Sequence, residues 1–132
     1  MTTRIINLGS SSAGNCTLYR RGNTRVLVDA GLSLRQIELR LAEVGVKLSE
    51  ITAVLLTHEH ADHCQAVAML TKKYPEIPIY CNAPTAMAMK DDGVVPNFKF
   101  FKTGSFFEID DLIIGAMAVP HAAAEAVGFL LY

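Results

Sequence analysis

Thr57-His58-Glu59-His60-Ala61-Asp62-His63 is the segment that decides how this chain is read: it holds three of the four histidines and two carboxylates. The apolar run Ile51-Thr52-Ala53-Val54-Leu55-Leu56 leads into it, and a helix-like run leads out. Residues two apart on an extended chain point the same way, so His58 and His60 can present imidazole nitrogens to one ion. Asp62 and His63 follow where the chain should turn into a helix, and they can face a neighbouring point. Imidazole suits zinc and related divalent metals, while a carboxylate adds neutralising charge and accommodates a harder ion. The pattern reads as a binuclear metal site. The plain alternative is a solvated loop rich in histidine and acid, but an apolar strand before the cluster and a helix after it favour metal.

Upstream, Arg4-Ile5-Ile6-Asn7-Leu8 predicts a short strand, followed by a loop, Gly9-Ser10-Ser11-Ser12-Ala13-Gly14-Asn15. Its small residues and hydroxyls allow the backbone to approach a ligand or another loop closely, which makes Ser10, Ser11, Ser12 and Asn15 candidates for meeting substrate. An ordinary tight connection explains the same residues equally well. Cys16-Thr17-Leu18-Tyr19 and Arg25-Val26-Leu27-Val28-Asp29-Ala30-Gly31 predict two strands joined by a hairpin turn at Gly22-Asn23. Asp29, at a strand end, either contacts solvent or orients the metal ligands from behind. Residues 33–44 form an amphipathic helix: Ser33 and Gln36 suit a capping box, Leu34, Ile37, Leu41 and Val44 make one stripe, and Gly45 is placed to stop it.

Downstream, a helix is expected over 63–74, with Pro75 just beyond and its amino end near the metals, where an anion is favoured. Ile77-Pro78-Ile79-Tyr80-Cys81 predicts a strand whose proline suggests an edge or a strand start. A short helix over 83–90 carries Met87 and Met89, read as core filling rather than ligands. Three further strands are expected at 99–101, 106–109 and 112–119, with Asp110 and Asp111 as a plain turn, and another begins at Val127. His121 ends the 112–119 strand. A lone histidine there is usually structural, but a metal site lacking a third nitrogen makes it a candidate ligand.

The bulk numbers fit one domain with a real core: 132 residues, 51% hydrophobic, 12 basic against 13 acidic side chains and a net charge of −1. No basic block announces nucleic acid, although a metal pair can itself bind phosphate. Cys16, Cys64 and Cys81 are odd in number and form no CxxC pair, so buried free thiols in a reducing compartment are expected. With no signal-peptide pattern and no bilayer-length apolar run, the expected location is cytoplasmic, with no membrane partner.

His58, His60, Asp62 and His63 match the HxHxDH signature of the metallo-β-lactamase superfamily of binuclear metallohydrolases, which this chain resembles. Asp29 in Leu27-Val28-Asp29-Ala30-Gly31 and the later His121 also match. The opening 9–15 segment together with Asp29-Ala30-Gly31-Leu32-Ser33 looks most like the YycJ/WalJ-like branch, related to ribonuclease Z and ribonuclease J. The resemblance implies an α/β (α+β) fold: the first half of an αββα sandwich, with one mixed, largely antiparallel sheet and helices on its outer face. It implies two divalent ions, zinc first and manganese as the alternative. His58, His60 and His121 would hold one ion, and Asp62 and His63 the other.

The implied function is a metal-dependent hydrolase, a phosphodiesterase or nuclease using hydroxide generated at the metals. Asp62 would orient that hydroxide, and the substrate would be a nucleic acid or small phosphodiester. Thioester or lactam hydrolysis, as in glyoxalase II-like or lactamase members, uses the same ligands and stays open, as does an inactive metal-binding module. The superfamily's bridging aspartate and last histidine come from its second half. Tyr132 falls inside an apolar strand, so residues 1–132 are expected to be the N-terminal portion of one domain, with self-association through an exposed sheet face. The chain departs from the branch at Ala66, often glycine, and at Ala122, where an aspartate often follows the histidine.

Overall fold

Two antiparallel hairpins followed by three helical crossovers make one six-stranded sheet in the computed structural model, which describes residues 2–89 and 93–132 of the chain. Strands β1 (Thr3–Ser11), β2 (Gly14–Arg21) and β3 (Thr24–Val28) pair antiparallel through tight turns, the second containing Gly22 at φ 59°. Helix α1 (Leu34–Glu43) then carries the chain back across the sheet, so β4 (Ala53–Leu55) lies parallel to β3. A parallel neighbour requires such a crossover. Two short helices, α2 (Ala61–Cys64) and α3 (Val67–Lys73), return the chain to β5 (Pro78–Cys81), and α4 (Ala83–Ala88) precedes β6 (Asn97–Phe100); both strands again join in parallel.

Alternation along the strands sends side chains to two different layers. Leu18, Leu27, Val54 and Ile79 face the helices and pack with Ile37, Leu41, Val67 and Leu70. Tyr19, Val26, Ala53 and Leu55 face the other way, against Ile109, Leu112 and Ile114. Those three belong to a second, three-stranded antiparallel sheet made of β7 (Phe106–Ile109), β8 (Leu112–Ala118) and β9 (Val127–Leu131). Burying each such aliphatic side chain contributes about 1.5–3 kcal/mol, which is what holds the layers together. Asp110 at φ 54° makes the β7–β8 turn, and its Oδ2 accepts a 2.7 Å hydrogen bond from the Thr24 hydroxyl, tying one sheet to the other.

Several expectations change. One sheet was expected and there are two. The larger has three parallel pairings against two antiparallel ones, because each of its last three strands is reached by a helical crossover. The smaller forms because short turns let β7, β8 and β9 pair locally. The 9–15 segment is mostly strand, with only Ser12 and Ala13 between β1 and β2 and a register shift between Asn7 and Gly9. The single helix over 63–74 is broken at Gln65 and Ala66, for a reason given below. Pro78 opens an interior strand rather than marking an edge. Met89 packs against the core, but Met87 is exposed, and Lys90, the expected end of that helix, lies outside the described residues. Ser33 caps α1 as expected, accepting from Gln36 N, and Gly45 follows it at φ 74°.

Candidate metal centre

The site forms at the carboxyl ends of β3 and β4. β4 ends at Leu55, and the following residues run out as an irregular loop until α2 begins at Ala61. That loop brings His58 and His60 to the same side, and His121 reaches them from the loop after β8, in the other sheet. The three imidazoles offer ligand atoms that all lie within 4.8 Å of one another. Ring centroids are 4.7 Å apart for His58–His60, 4.5 Å for His58–His121 and 5.1 Å for His60–His121. The His63 ring sits 4.0 Å from that of His58. All four histidines of the chain therefore meet in one place.

Asp29 organises the cluster from behind. It is buried, and its φ of 66° lies in the left-handed region, uncommon for anything but glycine, asparagine and aspartate. Such a conformation persists where surrounding contacts dictate it, and here they do. Asp29 N donates to Leu55 O at 2.7 Å. Its carboxylate accepts from Thr57 N at 2.8 Å, from the Thr57 hydroxyl at 2.9 Å to Oδ2, and from His63 Nδ1 at 2.6 Å.

These bonds assign the tautomers. The Thr57 hydroxyl has a single proton and Asp29 can only accept it. Thr57 Oγ1 must then accept from His58 Nδ1–H, 2.8 Å away. His58 Nε2 is left with a lone pair, buried and without a hydrogen-bond partner. A buried polar atom without a partner calls for an explanation, and a cation held with His60 and His121 supplies one. Burial, then the nearby His63, push the His58 pKa below its ordinary 6.5, which keeps the imidazole neutral and ready to ligate. The donor set fits a divalent metal.

His63 follows the same logic. Its Nδ1 proton goes to Asp29, so Nε2 presents a lone pair 3.6 Å from Asp62 Oδ2. The hydrogen bond to Asp29 raises the His63 pKa above its ordinary 6.5. Asn15 closes this second position. Its Nδ2 lies 3.3 Å from both Asp62 Oδ2 and His63 Nε2, and 3.1 Å from Asp62 O. Ser10, Ser11 and Ser12 are exposed at the hairpin tip, and the Ser11 hydroxyl accepts from Ala13 N. The structure thus brings Asn15 into the cluster and leaves the three serines outside it.

The break in the expected helix belongs to this site. Ala30 N donates to His63 O at 2.8 Å, Ala66 N donates to Ala30 O at 2.9 Å, and Gln65 Nε2 donates to Gly31 O. Those bonds to the Asp29 loop outcompete continuation of the helix. They also press the two backbones together: a Cβ on Gly31 would lie 1.7 Å from Asp62 O. Glycine is required at that position. The four-residue α2 that remains offers little of the helix dipole expected from a long helix. Sequence reasoning missed Thr57, whose hydroxyl links Asp29 to His58; its place immediately before the first histidine is the only local sign.

The three cysteines are free. Burial pushes Cys16 and Cys81 up to about 12 and Cys64 to about 11, so none is thiolate-ready. Among the described residues no helix is long and apolar enough to cross a membrane.

A family model described as the metallo-beta-lactamase superfamily matches residues 11–126. The chain is 32% identical over 128 residues to the exodeoxyribonuclease YycJ of Bacillus anthracis, a match covering 95% of this chain and 48% of that protein. It is 37% identical over 124 residues to the exodeoxyribonuclease WalJ of Streptococcus pneumoniae, covering 88% and 45%. It spans about half the length of these curated relatives. Among solved structures, Rm3 metallo-beta-lactamase superposes with a TM-score of 0.81 at 17% identity, covering 96% of this chain and 53% of that one. BJP-1 of Bradyrhizobium japonicum, a subclass B3 metallo-beta-lactamase, gives 0.81 at 18%, covering 98% and 54%. By matched family, shared fold and histidine cluster alike, the chain belongs to the metallo-beta-lactamase superfamily.

Proposed function

We propose that this protein is a metal-dependent phosphodiesterase of the exonuclease type, with the described chain supplying most of the metal ligands. The observation that carries the reading is the convergence of His58, His60 and His121 around a buried, unpartnered His58 Nε2. The two relatives reported above, at 32% and 37% identity over most of this chain, bear exodeoxyribonuclease names, whereas the two lactamase structures resemble it at 17–18% identity, which speaks for the fold alone. That difference favours a nucleic acid or related phosphodiester over a lactam or thioester.

Two divalent ions fit, with zinc suited to the three imidazoles and manganese an alternative where Asp62 adds oxygen. Bound there, they would supply a Lewis acid and acidify water from about 15.7 toward ~7. The chain's own groups do the rest. Asp29 and Thr57 fix which nitrogen of His58 and His63 is bare. Asp62, its side chain one-third exposed at 33%, would hold an ion with His63 and orient the attacking water. Asn15 steadies Asp62, while Ser10, Ser11 and Ser12 line the rim where a substrate could meet the hairpin. A groove of about 450 Å³ lined by Glu59, Ala61, Cys64, Gln65 and Met89, among others, opens beside the histidine loop and offers room for part of a substrate.

We also propose that residues 1–132 are the N-terminal portion of one domain and that the protein works in the cytoplasm, consistent with free thiols. The relatives' greater length supports the first point. So does the outer face of the second sheet, where Phe106, Ile113, Leu130 and Tyr132 are exposed. An apolar face of this kind favours self-association.

The test is turnover of bis-p-nitrophenyl phosphate against S-lactoylglutathione by the zinc- or manganese-loaded protein. Cleavage of the phosphodiester supports the proposal. Turnover of the thioester alone refutes it, and bound metal without turnover of either makes the chain a metal-binding module.

A further inference from the structure

Of the three histidines, His121 is the one whose placement is least explained. It is exposed and sits in a loop without regular structure, at residues 119–126, between two strands of the other sheet. Nothing in its own neighbourhood of sequence would hold it near His58 and His60. Two polar side chains do so from outside. Glu59 stands between the other two histidines in the sequence, is half-buried, and turns its carboxylate to the backbone of the 119–126 loop. It accepts from Ala124 N at 3.0 Å through Oε2 and at 3.4 Å through Oε1.

Asn82 is the second. It is 2% exposed and lies at the junction of β5 and α4. Its Oδ1 caps α4 by accepting from Thr85 N at 3.0 Å. Its Nδ2 donates to Glu125 O at 2.8 Å and to Thr103 Oγ1 at 3.0 Å, and that hydroxyl donates to Glu125 Oε2 at 2.6 Å. Two backbone bonds complete the attachment: Val127 N to Thr57 O at 2.9 Å, and Val119 N to Ala126 O at 3.1 Å.

We propose that Glu59 and Asn82 are positioning residues for His121, Glu59 latching the 119–126 loop onto the His58–His60 loop and Asn82 latching it onto the β5–α4 junction, so that the third imidazole is in place before metal arrives. The inference rests on the metal reading of the three histidines. A ligand held in advance does not have to be ordered at binding, and partners that orient a ligand typically change metal affinity 10–100-fold when removed. Glu59 therefore acts through the Ala124 backbone and not by touching metal or substrate.

The test compares Glu59→Ala, which removes the acceptor, with Glu59→Gln, which retains one amide oxygen for Ala124 N–H. Zinc affinity is measured by competition with a chromophoric chelator, and the visible spectrum of the cobalt-loaded protein reports ligand number. Glu59→Ala is expected to bind zinc roughly 10–100-fold more weakly and to lose the three-imidazole cobalt spectrum, with Glu59→Gln restoring both to within about threefold. Unchanged affinity in Glu59→Ala overturns the proposal, as does an equal loss in both variants, since charge rather than the hydrogen bond would then be responsible. If Glu59→Ala does not fold, Asn82→Asp carries the test. It keeps an oxygen to cap α4 at Thr85 N but loses the amide that donates to Glu125 O, and zinc binding equal to the unsubstituted protein would overturn the latch. An unsubstituted protein that takes up no zinc refutes the metal reading itself, a separate result.

Discussion

Replacing Asp29 by asparagine isolates one hydrogen bond at the centre of the site. Asparagine tolerates the left-handed backbone of residue 29 and keeps an oxygen for Thr57, so the loop should hold its shape. It places an amide nitrogen where Oδ2 now accepts from His63 Nδ1 at 2.6 Å, and that nitrogen only donates. His63 must then move its proton to Nε2, the nitrogen that faces Asp62. The lost interaction is charge-assisted and mostly shielded, with Asp29 7% and His63 20% exposed in their side chains. Bonds of that kind contribute about 1.5–3 kcal/mol. At 1.4 kcal/mol per decade, this corresponds to roughly 10–100-fold in affinity for the ion held by His63 and Asp62. His58 keeps its tautomer, because the Thr57 hydroxyl can still give its proton to the retained Oδ1, 3.1 Å away, so the other ion should be weakened less than about threefold. Zinc competition gives the two affinities, and long-range proton–nitrogen spectra give the His63 tautomer directly. An Asp29→Asn protein whose His63 still carries its proton on Nδ1, or whose two affinities fall equally, would refute this reasoning.

Other outcomes follow from the same geometry. Gly31→Ala drives a Cβ to within 1.7 Å of the Asp62 carbonyl, and should destabilise by roughly 3 kcal/mol or more in urea unfolding; a loss under 1 kcal/mol would contradict the close approach. In the metal-free protein, histidine titration by NMR should find His63 above 6.5 and His58 below it. The Asp29–His63 bond then stabilises fully below pH 6.5 and fades as pH rises through the raised His63 value, whereas neutral His58 favours the fold increasingly as pH rises toward 6.5. Both groups titrating at the same pH would count against the network. Leu130→Lys, on the exposed outer face of the second sheet, should lower the sedimentation coefficient at high concentration if that face self-associates. A monodisperse monomer before substitution would end that idea.

The local part of the site could be read directly from residues 57–63, because ligand spacing on one loop is a short-range property. His121 needed a count of ligands, and its approach to His58 depends on how a second sheet stacks on the first, which no periodicity reveals. Asp29 was recognisable as an acid at a strand end, but its link to His58 runs through the Thr57 hydroxyl, a tertiary contact. The helix expected over 63–74 failed for the same reason: Ala30 takes the His63 carbonyl and the Ala66 N–H, backbone groups that would otherwise continue it. The serine-rich segment has a structural part beside its proposed place at the substrate rim. Its small residues serve a two-residue hairpin and the close packing of Gly9 and Gly14 on Leu32, and only Asn15 reaches the cluster. Asn82 caps α4 ahead of Ala83-Pro84, and its bond to Glu125 is a tertiary contact with no local sign.

The claim beneath all of this is that His58, His60 and His121 bind one ion together. Zinc K-edge X-ray absorption on the protein loaded with a single equivalent tests it most directly. The account predicts a shell of three imidazole nitrogens at about 2.0–2.1 Å. A sulfur shell near 2.3 Å from one of the cysteines, or a spectrum without imidazole scattering, would contradict it.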